Sequence, residues 1–520
     1  MRFGLIPESL FSVPRPHALL LQRISRTLCT MTSSDTHSLG YPDCTFRTEL
    51  LPCDADASVT FQEAGPSRYG GAEPLTRAEP HIASSVTRDS LAVAARHLHS
   101  GQLVSFPSET VYGLGANALS QSAAAKIYAA KKRPADNPLI VHVADLEMLD
   151  SLLPPSYKMS AAYSALIKAF WPGALTLLFP VDPQRPAVPS VVTCGQPSVA
   201  VRMPSHPIAR ALIATSRLPM AGPSANASGR PSPTTAAHVM RDLGGQLDTN
   251  EAEPRGRLQY ILDGGACTVG VESTVVDGIS ADDEVRVLRP GGVTVEQIAQ
   301  VLNEARLDTK LRVYGKDMER SAQQESNPTT PGMKYRHYSP TARVVMLLPA
   351  TLFARAVTSS QPTASARVVD SLIESPPAAP RSFAHIIHDQ LSTLVTGPAG
   401  STINVGVMTS SDSNLARLIS SASEPAPPTG TDVHPHLLPP LELSELPGVL
   451  VHRFDLGPSA QPSVYAQRMF DGLRTLDEGP LHGADKCELI FVEALDDSGV
   501  GLAVMNRLKK AASATVVLDC

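Results

Sequence analysis

The chain has 520 residues, of which 42% are hydrophobic and 18% are charged, and its formal net charge at pH 7 is −6. This length and composition predict a globular protein of two domains, and the 46 prolines indicate long irregular segments. The acidic balance argues against a general nucleic-acid coat protein, although it leaves room for a local basic cleft. The seven cysteines are scattered and include no C-x-x-C pair, so the sequence predicts neither a disulfide framework nor a zinc site, and a reducing compartment is expected.

The N-terminal part of the chain shows no sustained hydrophobic period. Residues 1–30 contain four arginines and one acidic residue, Glu8. This composition fits a mitochondrial presequence, and a disordered tail explains it equally well. Residues 31–85 are rich in serine, threonine, proline and glycine and are predicted to form a disordered lead-in. No stretch reaches the roughly 18 to 20 apolar residues of a membrane span, so the expected location is the cytoplasm, with the mitochondrion added if residues 1–30 act as a presequence.

Residues 86–306 are predicted to form an α/β domain. "DSLAVAARHLHSG" predicts a helix that ends at Gly101, "QLVSFP" predicts a strand, and "SQSAAAKIYAAKKR" predicts a helix with Ser120 as its N-cap. Further strands are predicted at "PLIVHV", "ALTLLFP", "SVAVRMP", "LPMAGPS", "YILDGG", "ESTVVDG" and "VRVLRPGG", and helices at "HPIARALIATS" and "PTTAAHVMRDL". Because strands and helices do not alternate regularly, a twisted mixed sheet with flanking helices is expected. "DTNEAEPRGRL" predicts a surface insertion.

The remaining chain is predicted to contain a polar linker, residues 307–342, and a smaller, Rossmann-like α/β domain, residues 343–520. Strands are predicted at "ARVVMLL", "INVGVMTS", "GVLVHRF" and "CELIFVEA", and helices at "SVYAQRMFDGLRTLDEG" and "GLAVMNRLKKAAS". Two low-complexity spacers, "SSQPTASARV" and "SEPAPPTGTDVHPHLLPP", interrupt this domain.

One glycine-rich stretch has the G-x-G-x-x-A spacing of a dinucleotide-binding loop, at Gly113, Gly115 and Ala118. In a true dinucleotide-binding unit the strand leads directly into the turn and the helix opens within it. Here Pro107 and Glu109 separate the predicted strand from the glycines, and the helix begins several residues late. The sequence therefore disfavours a nicotinamide or flavin site, and the glycines are expected to form a tight turn beside a substrate pocket.

Candidate anion-binding residues follow this stretch. Lys131, Lys132 and Arg133 lie at the end of a predicted helix, where cations also complement the helix dipole. The loop "GPSANASGRPSP" offers hydroxyl groups and backbone N–H groups that can bind phosphate. Charge-assisted hydrogen bonds contribute roughly 1.5–3 kcal/mol each, so several converging donors can hold a triphosphate.

Seven blocks occur in order and resemble the YrdC-like domain family over about residues 88 to 300. They are "PSETVYGLGA", "KKRPADNPLIVHV", "WPGALTLLF", "SVAVRMPSHP", "GPSANASG", "GVESTVVD" and "LRPGG". The linker "PGMKYRHYSP" and the unit ending in "GLAVMNRLKKAA" resemble the long, two-domain form of the threonylcarbamoyl-AMP synthase family. The resemblance implies a YrdC-like mixed sheet followed by the smaller α/β domain.

The resemblance implies an ATP-dependent synthesis of L-threonylcarbamoyladenylate from L-threonine and bicarbonate or CO₂, with release of pyrophosphate. This is the first step of threonylcarbamoyladenosine formation in tRNA. It implies Mg²⁺ together with ATP as substrate, and the sequence assigns no residue as a metal ligand. It also implies a downstream tRNA threonylcarbamoyltransferase complex as partner, with tRNA contact allowed but not required and no membrane. Nucleotidyl transfer depends on positioning and charge neutralisation, so no nucleophilic side chain is expected.

The resemblance also implies roles for individual residues in these blocks. The catalytic set, which would grip the triphosphate and stabilise charge on the α-phosphate, is Lys131, Arg133, Ser224 and Asn226. The expected ATP-binding residues are Arg133, Asn137, Ser198, Ser224, Ser232, Arg289, Tyr335 and His337, the last two on a linker that would close over the nucleotide. The expected threonine-binding residues are Thr110, His142, Arg202, Gly222 and Ser273.

Ordinary structural roles compete with several of these assignments. A histidine on a strand, such as His142, is usually packed and hydrogen-bonded, Arg202 suits an edge strand, and Ser273 suits the face of a sheet. Trp171 is expected to be a core residue. "NRLKKAAS" is expected to be a solvated helix face rather than an RNA-binding surface. Lys132 stands where the family often has glycine and is expected to add charge near the phosphates.

Two other functions remain open at this point. A carbamoyltransferase-type YrdC relative would carry additional acylphosphatase-like or zinc-finger-like modules, and the sequence contains no C-x-x-C repeats. A non-catalytic RNA-binding module would be expected to interleave aromatic residues with lysine and arginine on a basic chain. The acidic balance of the chain weighs against this module.

Overall fold

The structure, a computed structural model, describes most of the chain from residue 46 onward. The described residues are 46–54, 59–64, 74–244, 256–280, 283–314, 337–352, 383–394, 402–420, 434–479, 481 and 486–518. The prediction of a presequence at residues 1–30 lies outside this range, as do Tyr335 and the spacer "SSQPTASARV". In the described segments, no helix has both the length and the apolar character needed to cross a membrane.

The first half of the described chain contains thirteen strands and eight helices. The strands are β1 (Glu49–Pro52), β2 (Val59–Glu63), β3 (Ala78–Ile82), β4 (Val104–Phe106), β5 (Gly113–Asn117), β6 (Ile140–His142), β7 (Leu175–Pro180), β8 (Ser198–Arg202), β9 (Met220–Ala221), β10 (Tyr260–Asp263), β11 (Thr274–Asp277), β12 (Glu284–Arg289) and β13 (Lys310–Val313). The helices are α1 (Ser85–His99), α2 (Gln121–Lys131), α3 (Leu146–Asp150), α4 (Ala161–Phe170), α5 (Ser190–Thr193), α6 (Pro207–Ser216), α7 (Ala236–Leu243) and α8 (Val295–Glu304).

Eleven of these strands form one sheet in the order β1-β10-β4-β5-β9-β6-β8-β7-β11-β12-β13, and β2 and β3 form a separate antiparallel pair. Within the large sheet β6 and β8 are parallel, whereas β4 and β5 are antiparallel. The expected mixed sheet is therefore confirmed. The predicted helix after the glycine-rich stretch is α2, and Ser120 caps it by accepting a hydrogen bond from the Ala123 N–H at 3.3 Å.

Two predictions about this first half are wrong, and a third is contradicted only at the described end of its segment. The disordered lead-in, residues 31–85, contains β1, β2 and β3 in its described part, and β1 pairs with β10 some two hundred residues later in the chain. The described end of the surface insertion "DTNEAEPRGRL" is buried, because Gly256 pairs with Phe46 and Leu258 is 1% exposed. The linker prediction, residues 307–342, begins too early, because β13 pairs with β12.

The glycine-rich stretch is a strand and not the expected tight turn. Gly113 and Gly115 belong to β5, which pairs with β4. A Cβ at Gly113 would lie 2.5 Å from the ring of Phe106, and a Cβ at Gly115 would lie 2.5 Å from Met220. These glycines therefore make room for core side chains, which explains their spacing without a bound cofactor. Trp171 is also a core residue, as expected, and its indole N–H donates to the Leu175 carbonyl at 2.8 Å.

The second half forms the smaller α/β domain. Its strands are β14 (Arg343–Pro349), β15 (Ile403–Thr409), β16 (Leu437–Glu442), β17 (Val449–Asp455), β18 (Leu489–Glu493) and β19 (Ala514–Leu518), arranged as β16-β17-β15-β18-β14-β19. Its helices are α9 (Phe383–Ser392), α10 (Asn414–Leu418), α11 (Pro462–Glu478) and α12 (Val500–Ala511). All neighbouring strands are parallel except the edge pair β16 and β17.

Side chains from both halves share one hydrophobic cluster. Val111 and Val271 from the first half belong to the same buried cluster as Ala466 and Phe470 of α11. Gly270 has a φ of +76°, and a Cβ there would lie 2.3 Å from the Cα of Gln467. The backbone of α11 therefore packs directly against the segment that precedes β11.

Candidate active site

One cavity is lined by side chains from strand ends, from loops and from the segment that precedes β14. Its lining consists of Thr110, Val111, Arg133, Ile140, His142, Arg202, Gly222, Pro223, Ser224, Glu272, Ser273, Arg289, His337 and Tyr338. All five residues predicted for threonine and four predicted for ATP (Arg133, Ser224, Arg289 and His337) are therefore brought together. The other described site predictions, Lys131, Asn137, Ser198, Asn226 and Ser232, do not line the cavity.

Arg202 lies at the end of β8, where its guanidinium is fixed on several sides. Its Nη2 donates to a carboxylate oxygen of Glu109 at 2.5 Å, its Nη1 donates to the Thr110 hydroxyl at 2.9 Å, and its Nε donates to the Gly173 carbonyl at 3.0 Å. Burial alone would raise the pKa of Glu109, but Arg202 and backbone hydrogen bonds outweigh it and lower that pKa. Arg202 is thus a buried, oriented cation and not the edge-strand surface residue of the alternative interpretation.

His142 lies at the end of β6 and is the register partner of Arg202. Its side chain is buried, and its Nδ1 has no hydrogen-bond partner among the described residues. Burial and the nearby Arg202 lower the pKa of His142 to about 3, so the ring is neutral at pH 7. Gly222 faces the ring, and a Cβ at Gly222 would lie 3.1 Å from Nδ1. A neutral imidazole therefore faces the cavity beside a cation.

Ser273 connects two other parts of the wall. Its hydroxyl lies 2.7 Å from that of Thr176, and its carbonyl accepts a hydrogen bond from Nη2 of Arg289 at 2.8 Å. Arg289 ends β12 and is buried. Burial lowers the pKa of Arg289 to about 10, which leaves it charged at pH 7. Ser273 is therefore part of the hydrogen-bonded wall and not an isolated residue on the face of the sheet.

Arg133 follows the C-terminal end of α2. Lys132 has left-handed backbone angles there, φ 52° and ψ 43°, which turn the chain so that Arg133 enters the cavity wall. The guanidinium donates from Nε to the Asn137 carbonyl at 3.1 Å and from Nη2 to the Pro138 carbonyl at 3.2 Å. In the described part of the chain, no carboxylate forms an ion pair with Arg133. Lys132 itself is exposed and does not line the cavity.

Lys131 is buried behind the cavity, where it holds the loop that follows β9. Its ammonium group donates to the carbonyls of Ser224 and Asn226, and the Ser224 hydroxyl donates to the Asn226 side-chain oxygen at 2.5 Å. Burial and the nearby Arg133 place the pKa of Lys131 well below its ordinary value. Lys131 and Asn226 therefore organise this loop from behind, and Ser224, to which both are bonded, lines the cavity.

Three residues predicted for ATP lie outside the cavity lining. The Ser232 hydroxyl is fully buried and donates to Glu272 at 2.6 Å. Ser198 begins β8, opposite Pro180 on β7, at the far end of that strand from Arg202. Asn137 is buried beside Arg133, and its side-chain oxygen has no partner among the described residues.

Sequence reasoning missed Glu272 and Tyr338 as cavity residues. Glu272 pairs with Arg507 of α12 at 2.9 Å, and the two side chains are 10% and 1% exposed. Burial alone would raise the pKa of Glu272, but Arg507 and Arg289 lower it to about 2. Glu272 lies in the block "GVESTVVD" and Tyr338 lies in "PGMKYRHYSP". Their membership of these blocks is the feature of the sequence that could have identified them as cavity residues. Arg507 corrects the prediction that "NRLKKAAS" is a solvated face.

His337 and Tyr338 place the chain that precedes β14 on the cavity. Their rings are in contact at a centroid distance of 4.3 Å and are tilted by 48°, and Tyr338 also packs on Phe470 at 5.2 Å. Burial and Arg133 lower the pKa of His337 to about 3, and burial and Glu272 raise that of Tyr338 to about 12. Both rings are therefore neutral at pH 7 and present an aromatic surface.

The cavity has a positive character that suits an anion. Arg133, Arg202 and Arg289 line it, while its carboxylate Glu272 is neutralised by Arg507. Across the described ranges, no group of three or more His, Cys, Asp or Glu side chains is arranged to hold a metal ion.

Two protein families match the chain along its length. Residues 96–291 match the family of Sua5, YciO and YrdC proteins described as "Telomere recombination". Residues 293–513 match the family described as "Threonylcarbamoyl-AMP synthase, C-terminal domain".

Similar proteins align over most of the chain. The chain is 37% identical over 435 residues to threonylcarbamoyl-AMP synthase of Bacillus subtilis, covering 83% of this chain and 96% of that protein. It is 39% identical over 459 residues to threonylcarbamoyl-AMP synthase of Schizosaccharomyces pombe, covering 85% and 92%. The crystal structure of Pyrococcus abyssi Sua5 complexed with L-threonine superposes with a TM-score of 0.56 at 33% identity, covering 82% of this chain and 96% of that one.

Proposed function

The chain belongs to the threonylcarbamoyl-AMP synthase family in its two-domain form, and we propose that the cavity described above is where it carries out the family's reaction. It is a nucleotidyltransferase that makes L-threonylcarbamoyladenylate from L-threonine, bicarbonate or CO₂, and ATP, the first step of threonylcarbamoyladenosine formation in tRNA. The observation that carries the assignment of the site is the convergence of Arg133, Arg202 and Arg289 on one cavity.

L-threonine binds at the end of the cavity formed by Thr110, His142, Arg202 and Ser273. The guanidinium of Arg202 is held by Glu109 and Thr110 and pairs with the threonine carboxylate. The neutral Nδ1 of His142 accepts a hydrogen bond from the substrate, because it has no other partner among the described residues. Its low pKa makes it a poor base, so its role is to orient the substrate.

ATP binds at the other end, where Arg133, Arg289 and Ser224 face the cavity. Arg133 and Arg289 supply charge for the phosphates, and Ser224 faces them from a loop that Lys131 holds. The adjoining rings of His337 and Tyr338 line this end of the cavity. We extend this role to Tyr335, which precedes them in the sequence.

The reaction then proceeds in two bond-forming steps. The threonine amine attacks CO₂ and loses a proton, which gives a carbamate. A carbamate oxygen attacks the α-phosphorus of ATP as the bond to the bridging oxygen of the β-phosphate breaks, and pyrophosphate leaves. The arginines stabilise the charge that is redistributed over the phosphate oxygens, so the cavity acts by positioning and electrostatics and needs no side-chain nucleophile.

Mg²⁺ enters this proposal as part of the Mg·ATP substrate. Glu109 is already paired with Arg202, and Glu272 is already paired with Arg507. Phosphate oxygens and water therefore supply the ligands of the ion, which is the coordination that Mg²⁺ favours with nucleotides.

The product is a reactive acyl phosphate, so we propose that a tRNA threonylcarbamoyltransferase complex takes it up directly. The cytoplasm is the proposed location, with a mitochondrial form if residues 1–30 act as a presequence. Tagged proteins that start at Met1 and at Met31 test this point, because identical cytosolic distributions would exclude the presequence.

Pyrophosphate release tests the reaction. The purified full chain with Mg·ATP and bicarbonate is expected to release pyrophosphate only when L-threonine is present. Release without threonine would indicate a different nucleotidyl acceptor, and the absence of release would contradict the proposal. A carbamoyltransferase-type relative or an RNA-binding module would give one of these two results.

Two substitutions test the division of the cavity. Arg133→Ala removes a phosphate-side cation and is expected to weaken ATP binding by about tenfold or more. His142→Ala removes a threonine-side acceptor and is expected to leave ATP binding within about twofold of the unaltered protein. Nucleotide titration by calorimetry measures both. Equal losses in the two variants would show that the division is wrong.

A further inference from the structure

The loop after β9, residues 222–231, is held from the side opposite the cavity. Its Ala227 N–H donates to Asp242 of α7 at 3.0 Å, and the side-chain nitrogen of Asn226 donates to the carbonyls of Ala227 and Arg230 within the loop. The position of Ser224 in the cavity therefore depends on where Asp242 is held.

Asp242 is held by the C-terminal domain. Arg474 of α11 donates from both terminal nitrogens to the two carboxylate oxygens of Asp242, at 3.1 and 2.8 Å. Both side chains are 1% exposed. Nη2 of Arg474 also donates to the Pro231 carbonyl at the end of the loop, at 2.5 Å, and Nη1 donates to Glu478 at 2.7 Å. A bidentate pair of this kind fixes orientation as well as distance.

The same helix holds the loop through a second set of contacts. Arg230, within the loop, pairs with Asp477 at 3.3 Å and with Glu478 at 2.8 Å. Asp477 also accepts a hydrogen bond from the Ala342 N–H at 2.7 Å, where the chain enters the C-terminal domain. The Ser339 N–H donates to the Gly229 carbonyl at 2.8 Å. The end of α11, the chain before β14 and the loop therefore form one connected network.

A second arginine of the C-terminal domain acts on the opposite wall. Nε of Arg507 donates to one oxygen of Glu272 at 2.9 Å, while the Ser232 hydroxyl donates to the other at 2.6 Å. Nη1 of Arg507 also donates to the Pro290 carbonyl, next to Arg289. The orientation of Glu272 and the strand end that carries Arg289 are therefore set by α12.

We propose that Arg474 and Arg507 are positioning residues for the reaction, each acting through a carboxylate, and that the C-terminal domain is thereby a structural part of the nucleotide end of the cavity. Arg474 acts through Asp242 on the loop that carries Ser224, and Arg507 acts through Glu272 on the wall that carries Arg289. This inference rests on the proposed function, because it assigns ATP to that end.

Steady-state kinetics of pyrophosphate release by the full chain test the proposal. The unaltered protein is assayed first, so that a failure of the proposed function is seen before any variant is compared. Arg474→Met and Arg507→Met are each expected to raise the KM for ATP by about tenfold, since the phosphate donors are displaced. Calorimetric titration of Arg474→Met with L-threonine is expected to give a Kd within about twofold of the unaltered protein.

Arg468→Met is the matched control, because Arg468 lies on the same helix and pairs with Asp455 inside the C-terminal domain at 2.7 Å. It is expected to leave the KM for ATP unchanged. The proposal is overturned if the Arg468 and Arg474 variants have the same KM for ATP, or if Arg474→Met loses threonine and ATP affinity in parallel. If Arg474→Met does not fold, Arg474→Lys and Asp242→Asn provide the same comparison. Each is expected to raise the KM for ATP above that of the control, and a KM equal to that of the control overturns the proposal.

Discussion

The buried imidazole of His142 shows how a polar side chain stays neutral in a cavity lined with arginines. It has the cation Arg202 as a register partner and no hydrogen-bond partner for Nδ1 among the described residues. Adding a proton would place a second positive charge beside Arg202 in a site with little water, which is why its pKa falls to about 3. An uncharged acceptor beside a fixed cation is suited to a substrate that carries both a carboxylate and a hydrogen-bond donor.

This shift predicts an acid-labile contribution to stability. The pKa of His142 is about 3 in the folded protein and 6.5 in an unfolded reference, so the unfolded state binds the extra proton between these values. Stability is therefore lost as the pH falls below 6.5, by about 2 kcal/mol at pH 5, at 1.36 kcal/mol per pKa unit. We expect His142→Gln to lose less stability than the unaltered protein between pH 7 and pH 5.

Urea denaturation at the two pH values measures this difference. His388→Gln is the control, because it makes the same replacement at a histidine whose side chain is 72% exposed. An equal loss of stability in His142→Gln and the unaltered protein would show that His142 is protonated in the folded state.

At the scale of single residues, the sequence predicted much of the cavity lining through the short blocks that resemble the YrdC-like domain family. His142 and Arg202 line the cavity because they end the paired strands β6 and β8, and Thr110 and Ser273 reach it from the segments that precede β5 and β11. The direction in which each side chain points could not be predicted, since it depends on neighbours distant in the sequence. Lys131 is the clearest case, because its ammonium group binds carbonyls of a loop about ninety residues away.

The backbone conformation at the end of α2 explains which residue type is favoured at position 132. Lys132 has a φ of 52°, a left-handed conformation that glycine adopts without a steric cost. This conformation gives a physical reason why glycine is frequent at this position in the family that the sequence resembles. The exposed Lys132 side chain does not line the cavity, so charge near the phosphates is not needed to explain its position.

We expect Lys132→Gly to stabilise the protein by about 1 kcal/mol, because it removes the strain of a side chain in the left-handed region. The KM for ATP is expected to stay unchanged. Lys132→Ala is the matched control, since alanine removes the charge and keeps the strain. Thermal unfolding of the three proteins checks the first expectation. A gain in stability for Lys132→Ala equal to that for Lys132→Gly would attribute the effect to charge.

At the scale of elements, local signals and long-range pairing explain which predictions succeeded. The helix α11 was predicted from its own periodicity, and α2 from its Ser120 cap. In contrast, β1, β13 and β16 were missed because each is short and lies at the edge of its sheet, where it pairs with a single neighbour. The glycines of β5 were misinterpreted because the Phe106 and Met220 side chains that require them come from other strands.

At the scale of the whole molecule, the two domains meet where there is no room for a side chain. Gly270 approaches the backbone of α11 so closely that a Cβ would lie 2.3 Å from the Cα of Gln467 and 2.6 Å from the Ala466 carbonyl oxygen. This contact lies two residues before Glu272. Any increase in the distance between Gly270 and α11 therefore moves α11, together with Arg474, away from the cavity wall.

Gly270→Ala is expected to lower stability by about 2 to 4 kcal/mol, through left-handed strain and through overpacking against α11. It is also expected to raise the KM for ATP. Gly101→Ala is the matched control, because Gly101 has a similar φ of +73° and no atom within 4 Å of the added Cβ. Thermal unfolding and pyrophosphate release measure both effects. If the two variants behave alike, strain alone is responsible and the domain contact is not a constraint.

The ion pair between Glu272 and Arg507 joins residues that are 235 positions apart. At the usual rate of translation, roughly 5 to 20 residues per second, the ribosome adds Arg507 roughly 10 to 50 s after Glu272. The YrdC-like part can therefore fold on the ribosome before its own wall is complete. A chain released by an early stop codon before residue 507 would carry the phosphate-binding blocks and lack the residue that orients Glu272. Synthesis of this protein thus adds the residue that orients Glu272 long after the strands of the wall have been made.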